Sequence, residues 1–271
     1  MKNKNQKITI GIFGFGNMGK AIFKLLKGSR QFKNSADFLI FDAKTVKGVK
    51  TVKSVEILLE KSDIVFLCIK PQDFYKLNRF RNGKPSKTIL ISIMAGVKMA
   101  NIKKIFSGFR AVRTMPNLAL QVGQGAVGWH FNKNKFDSAE RKLIDRIFSL
   151  FGMSIYLRSE KMIDAFTAVS GSGPAYVFLF INVLIKTAKK LGFNQQDAEK
   201  IVMQTVIGST IYARSLGRPN FDQLIKMVQS PGGTTQAAFN SLDIDAMYQE
   251  WQKAVTKAYH RAQEISSYDI R

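Results

Sequence analysis

The chain has 271 residues, 45% of them hydrophobic, a formal net charge of +23 and a single cysteine, Cys68. That length supports one large domain or two moderate ones with a real core, and one cysteine excludes an internal disulfide. The lysines are scattered, with no basic block, zinc-finger spacing or RNP-type motif, so the charge points to anionic cofactors and substrates rather than to specific nucleic-acid binding.

The polar opening, residues 1–7, runs straight into a strand pattern, so no signal peptide is expected. No apolar run reads as long enough to span a bilayer, and a cytoplasmic protein is the expectation. Residues 7–13 (KITIGIF) read as a buried strand. They lead into Gly14-Phe15-Gly16-Asn17-Met18-Gly19 and a helix start at 21–26. G-x-G-x-x-G between a strand and a helix is a dinucleotide-binding pattern. The first glycine allows the turn, the second lets a pyrophosphate approach the backbone, and the third lets the helix pack on the strand. A glycine-rich connection without ligand is the plainer alternative. Residues 37–41 (DFLIF) form the second strand, which ends at Asp42. An acid there accepts hydrogen bonds from ribose hydroxyls and favours NAD. Lys44, Thr45 and Lys47 follow and suit a 2′-phosphate, so NADPH and NADH both stay open.

Residues 51–59 hold a short strand and a helix. Residues 63–69 (DIVFLCI) are continuously apolar, as a parallel sheet covered on both faces requires. Ligands of such sheets sit beyond the carboxyl ends of the strands, so Ile69, Lys70 and Pro71 border the expected cofactor. Cys68 has no basic neighbour in sequence and reads as a strand residue rather than a nucleophile. Residues 88–93 (TILISI) are the next strand, and small Ala95 and Gly96 after it allow the nicotinamide or ribose to come close. Residues 109–115 form a strand ending at Pro116-Asn117, 123–129 a turn plus strand, 139–151 an amphipathic helix, and 154–157 (SIYL) the closing strand. Alternating strands and helices predict a doubly wound α/β domain over 1–159.

After Ser159 the pattern is helical. A helix over 160–169 is interrupted by Ser170-Gly171-Ser172-Gly173-Pro174, with Ser172 placed as a cap. Residues 175–191 are apolar nearly all round, which suits a bundle core or a subunit interface. Gly192 ends that helix, and Asn194 caps the next, 195–216. Helices over 221–228, 234–242 and 246–266 follow. Between the first two lies Ser230-Pro231-Gly232-Gly233-Thr234-Thr235. Proline and glycine stop one helix, and a threonine is expected to cap the next. Open N–H groups at the helix start and two hydroxyls make a niche for a carboxylate and one further polar atom. A capped helix–helix turn is the plain alternative. His130 and His260 are isolated, and no residue cluster has metal-ligand spacing.

Taken together, these motifs resemble those of pyrroline-5-carboxylate reductases over nearly the full chain. Gly14 to Gly19 is similar to the family's cofactor loop. Ile69-Lys70-Pro71 and Ala95-Gly96-Val97 resemble two further cofactor turns. Arg113-Thr114-Met115-Pro116-Asn117 resembles the strand end beside the nicotinamide. Ser170-Gly171-Ser172-Gly173-Pro174-Ala175-Tyr176 resembles the start of the central helix, and Ser230 to Thr235 the signature turn. The resemblance implies an α/β Rossmann-type N-terminal domain (1–159) followed by an all-α C-terminal dimerisation and substrate domain (160–271). It implies hydride transfer from NADPH or NADH to 1-pyrroline-5-carboxylate, the last step of proline synthesis. It also implies an intertwined homodimer, which some members build into decamers.

The resemblance puts Gly14, Phe15, Gly16, Asn17, Met18, Gly19, Ile69, Lys70, Pro71, Ala95, Gly96 and Asn117 at the cofactor, and the distance of Asp42 after the glycines adds that residue. It puts Ser172, Ser230, Gly232, Gly233, Thr234 and Thr235 at the substrate. The N–H groups of Gly232, Gly233 and Thr234 are assigned to the substrate carboxylate. The Thr235 hydroxyl is assigned to the ring nitrogen, as the matching threonine is in the family, and is the catalytic candidate. Two stretches depart from the family pattern: Asn117-Leu118-Ala119, where Asn-Thr-Pro is common, and residues 218–223. They leave room for a paralogue with altered substrate range. A non-catalytic paralogue that kept the cofactor fold for a regulatory or binding role is one alternative. A β-hydroxyacid dehydrogenase is the other alternative, but residues 175–182 hold no lysine of the kind that group uses.

Overall fold

Seven runs rich in Ile, Val, Leu and Phe pair into one sheet. They are β1 (Ile8–Phe13), β2 (Ala36–Phe41), β3 (Ile64–Leu67), β4 (Ile89–Ser92), β5 (Arg110–Pro116), β6 (Gly125–Phe131) and β7 (Gly152–Tyr156). Their spatial order is β2-β1-β3-β4-β5-β6-β7, and only the β5–β6 pair is antiparallel. Every residue of β3 and β4 is buried. Side chains alternate between two cores: Ile64 and Phe66 enter one, Val65 and Leu67 the other. The chain goes from β1 out to β2, then back to β3 on the other side of β1, so the topological switch point lies between β1 and β3.

The computed structural model describes residues 7–44, 46–77, 80–81 and 87–267. They fall into two units, Met1–Gly173 with Lys257–Arg271, and Pro174–Thr256.

In the first unit the expected alternation of strands and helices fails once. A 3₁₀ turn, Leu118–Val122, joins β5 to β6 and ends at Gly123 with φ +70°. The eight residues 117–124 are too few for a crossover helix, so the pair is antiparallel. The strand expected near Thr51 is a single bridge to Ile40. Two helices absent from the sequence reading appear, Pro71–Phe74 and Met99–Ile105.

The break expected at 170–174 is also absent. The helix Met162–Phe166 passes through one π-turn, Thr167–Gly171, into Gly173–Lys190. The Ser172 N–H reaches back five residues to the Thr167 carbonyl at 2.9 Å. Ser172 has helical backbone angles and closes the π-turn, so it is not an N-cap of the helix Gly173–Lys190. The wider turn relaxes the hydrogen-bond ladder where glycine and proline would otherwise stop it. The helical stretch Met162–Lys190 therefore has 29 residues, long and apolar enough by length and composition to cross a bilayer, contrary to the sequence expectation.

The second unit is helical throughout. Asn194 and Asn220 cap their helices by accepting from the N–H groups of Asp197 (2.9 Å) and Gln223 (3.1 Å). Only Ala198, Val202 and Ala213 are buried in it, while Phe178, Leu179, Phe180 and Val183 are each more than half exposed. Ordering a residue costs about 1–2 kcal/mol of backbone entropy, and three small buried side chains do not offset that for a whole unit. This apolar surface requires cover.

Candidate active site

The glycine loop is built by contacts that exclude side chains at two positions and leave a third open. Gly14 sits at φ +95°, and a Cβ there would fall 2.8 Å from the Cys68 carbonyl carbon and 2.9 Å from the Ile69 Cγ2. The loop is tied in place by Gly14 N–H to the Phe41 carbonyl (2.8 Å) and Cys68 N–H to the Phe13 carbonyl (2.7 Å). A Cβ on Gly19 would lie 2.2 Å from the Gly14 carbonyl oxygen, so only glycine lets the helix pack this close. Gly16 is different: nothing lies within 4 Å of a Cβ placed there. It is the N-cap of the helix Asn17–Gly28, which has no side-chain cap and no acidic residue in its first turn. An open backbone at an uncapped helix start fits a pyrophosphate. Gly16 and Asn17 are exposed, Phe15 is buried, and Met18 packs against the core.

Asp42 is turned to the loop. One carboxylate oxygen accepts the Phe15 N–H at 2.5 Å and the other the Lys44 N–H at 2.8 Å. Lys44 and Lys47 are exposed, and Thr45 lies outside the described residues. Ile69 lies against Gly14, and Lys70 precedes Pro71 at the first position of a short helix. The turn after β4 places Gly96 at φ +74° with the Ile265 side chain where its own would be. Asn117 accepts the Ala126 N–H (3.2 Å) and donates to the Ser170 hydroxyl (3.4 Å), which fixes the end of β5 to the π-turn. The carboxyl ends of β1, β2, β3, β4 and β5 thus carry all the expected cofactor residues. Ser172 ends the π-turn.

Arg113, which opens the strand-end motif but is not among the expected site residues, is a buried ion-pair centre. It is 1% exposed and bonded to Asp164 (2.8 Å), Glu160 (3.3 Å) and the Ser266 hydroxyl (3.1 Å). Ser266 in turn donates to Asp164 at 2.7 Å, and Glu160 accepts the Met99 N–H at 2.7 Å. The signal was available: a charge within an apolar strand must be paired, and two acids, Glu160 and Asp164, follow the last strand in sequence. Cys68 packs against the core, and burial pushes its thiol well above the ordinary range, which makes it inert at neutral pH. His130 Nδ1 lies 2.8 Å from the Leu157 carbonyl, a structural bond. Among the described residues no group of His, Cys, Asp and Glu is placed to hold a metal.

In the helical unit, the turn from Ser230 to Thr235 differs from expectation in its capping. Gly233, not a threonine, is the N-cap of the helix Thr234–Asn240, and it makes no side-chain cap bond. Neither threonine hydroxyl is used as a cap. Gly232, at φ +71°, gives its N–H to Gln236 Oε1 (2.7 Å), and Gly233 gives its N–H to the Ser230 carbonyl (2.9 Å). Two of the three donors assigned to a carboxylate are therefore engaged within the turn. The N–H groups of Thr234, Thr235 and Gln236, in the first helical turn, precede the first intrahelical bond, from Ala237 to the Gly233 carbonyl, and Thr234 and Thr235 stand next to the turn.

A family model described as pyrroline-5-carboxylate reductase dimerisation matches residues 160–265, and one described as NADP oxidoreductase coenzyme F420-dependent matches residues 9–96. The pyrroline-5-carboxylate reductase of Aquifex aeolicus is 32% identical over 264 residues, covering 94% of this chain and 97% of that protein. The corresponding protein of Methanosarcina acetivorans is 31% identical, covering 97% and 98%. The crystal structure of the Plasmodium falciparum pyrroline carboxylate reductase, with NADP bound, aligns with a TM-score of 0.83 at 28% identity, covering 97% of this chain and 99% of that one.

Proposed function

This chain belongs to the pyrroline-5-carboxylate reductase family, and we propose how its residues divide the reduction of 1-pyrroline-5-carboxylate to L-proline by NAD(P)H. Residues 1–159 hold the cofactor, and residues 160–271 supply dimerisation and the substrate turn. The observation that carries the cofactor half is Gly16, open to 4 Å between two glycines that admit no side chain. A bound NAD(P)H supplies hydride from nicotinamide C4. Gly14, Phe15, Gly16, Asn17, Met18 and Gly19 cradle the pyrophosphate, with Ile69, Lys70, Pro71, Ala95, Gly96 and Asn117 along the rest of the cofactor. Two features support NADPH: both Asp42 oxygens accept backbone N–H groups, and Lys44 and Lys47 stand exposed just beyond. The Plasmodium relative binds NADP.

In the substrate half, the N–H groups of Thr234 and Thr235 take the carboxylate, while Ser230, Gly232 and Gly233 shape the turn and Ser172 lines the ring. The Thr235 hydroxyl hydrogen-bonds the ring nitrogen, whose charge changes as the C=N bond is reduced. Threonine is a weak acid, so catalysis rests mainly on positioning. The uncovered apolar helix Gly173–Lys190 is matched by the dimerisation family model, which supports cover by a second copy rather than by lipid. The assembly is a homodimer, with a decamer as the larger form, and its place is the cytoplasm. The test is oxidation of NADPH and NADH in the presence of pyrroline carboxylate, with sedimentation for the oligomer. Turnover with NADPH preferred is the expected result. Cofactor binding without turnover would instead identify a regulator.

A further inference from the structure

We infer that the last turns of the C-terminal helix, residues 257–267, are a latch that holds the Ala95–Gly96 turn in shape for the cofactor, with Ile265 and Ser266 as positioning residues. This rests on the placement of Ala95 and Gly96 at the cofactor. Ile265 occupies the space a side chain at Gly96 would take: a Cβ there would fall 2.2 Å from the Ile265 Cγ2 and 3.0 Å from its Cβ. Gly96 also needs glycine for its φ of +74°. The next residue, Ser266, is 1% exposed and is bonded to both Arg113 and Asp164. Arg113 also pairs with Glu160, which accepts the N–H of Met99. Met99 is the first residue of the helix that follows the turn, and that helix has no side-chain cap of its own. Ile265 therefore supports the turn from beneath, and Glu160 fixes its exit. The strand before it, β4, is paired on both sides, so loss of the latch moves the turn and not the sheet.

The test uses the full chain and reads hydrogen exchange over residues 95–99 together with the NADPH Kd. Ile265→Ala and Ser266→Ala each speed exchange there and raise the Kd about five- to tenfold. Ile265→Val keeps the Cβ and Cγ2 that meet Gly96 and stays at wild-type values. The KM for pyrroline carboxylate moves less than the NADPH Kd. Ile265 is 38% exposed, so its truncation leaves the fold intact. A lowered Tm with unchanged NADPH Kd in Ile265→Ala and Ser266→Ala overturns the latch. Ala95→Leu separates the two ideas. An NADPH Kd raised in Ala95→Leu but not in the latch variants overturns the latch alone. A Kd unchanged in Ala95→Leu overturns the placement of the turn at the cofactor, and the latch function with it.

Discussion

The backbone N–H of Phe15 donates to the Asp42 carboxylate at 2.5 Å, tying the glycine loop to the end of the second strand. The Lys44 N–H takes the other oxygen. Asp42 thus acts as a clamp on the loop. Hydrogen bonds to a charged group contribute about 1.5–3 kcal/mol each, so Asp42→Ala should weaken NADH and NADPH together, by tenfold or more. Titration of both cofactors checks this. A loss confined to NADH would instead make Asp42 the ribose acceptor and sink the clamp.

Gly16 and Gly19 should fail differently. Gly16→Ala has room and an ordinary φ of −73°, so its Tm should hold while NADPH affinity falls. Gly19→Ala drives a methyl into the Gly14 carbonyl, 2.2 Å away, and overpacking of this kind destabilises by about 1–3 kcal/mol. Melting curves beside cofactor titrations distinguish them. Equal loss of Tm in both variants would remove the case for Gly16 as the pyrophosphate site.

Thr235→Ala should lower kcat/KM for pyrroline carboxylate by about tenfold or more while the NADPH Kd stays put, as removal of one hydrogen bond to the reacting ring predicts. Thr234→Ala, which keeps its backbone N–H, should cost less. Unchanged steady-state kinetics in Thr235→Ala would end its assignment to the ring nitrogen.

Cys68 sets an alkaline limit on stability. Burial raises its thiol in the folded state, whereas the unfolded thiol ionises near its ordinary value of about 8.5. Its contribution is therefore fully present below about pH 8.5 and is lost as pH rises above it, by at most about 1.4 kcal/mol per pH unit. Tyr156 acts in the same direction: burial raises its phenol, partly offset by Arg141. Urea midpoints at pH 7, 9 and 10 should fall more steeply for the wild type than for Cys68→Ala. Parallel slopes would contradict this.

Local signals were enough for much of this. The glycine loop was legible because its strand and helix flank it in sequence, and the cap at Asn194 announced itself through its own side chain, whereas the same role of Asn220 came from the structure. What escaped depends on distant partners. The helix Met99–Ile105 takes its cap from Glu160, 61 residues away, so no local residue marks its start. The π-turn looked like a break because glycine and proline stop most helices. It survives here because Ser170 is held by Asn117, and Gly171 lets Met115 pack 3.0 Å from its missing Cβ. At the substrate turn, the motif was visible, but the choice of donors was not: Gln236 and the Ser230 carbonyl compete for the two glycine N–H groups.

The three buried residues of the helical unit set an order of events during synthesis. The sheet can close around its own two cores on a single chain, whereas residues 174–256 have almost nothing to collapse upon until another chain arrives. Refolding should therefore show a fast phase independent of protein concentration, followed by a phase whose rate rises with it. Chains made singly, or diluted before they meet, would wait with Phe178, Phe180 and Val183 open to water, and in that interval they would be most exposed to proteases and chaperones.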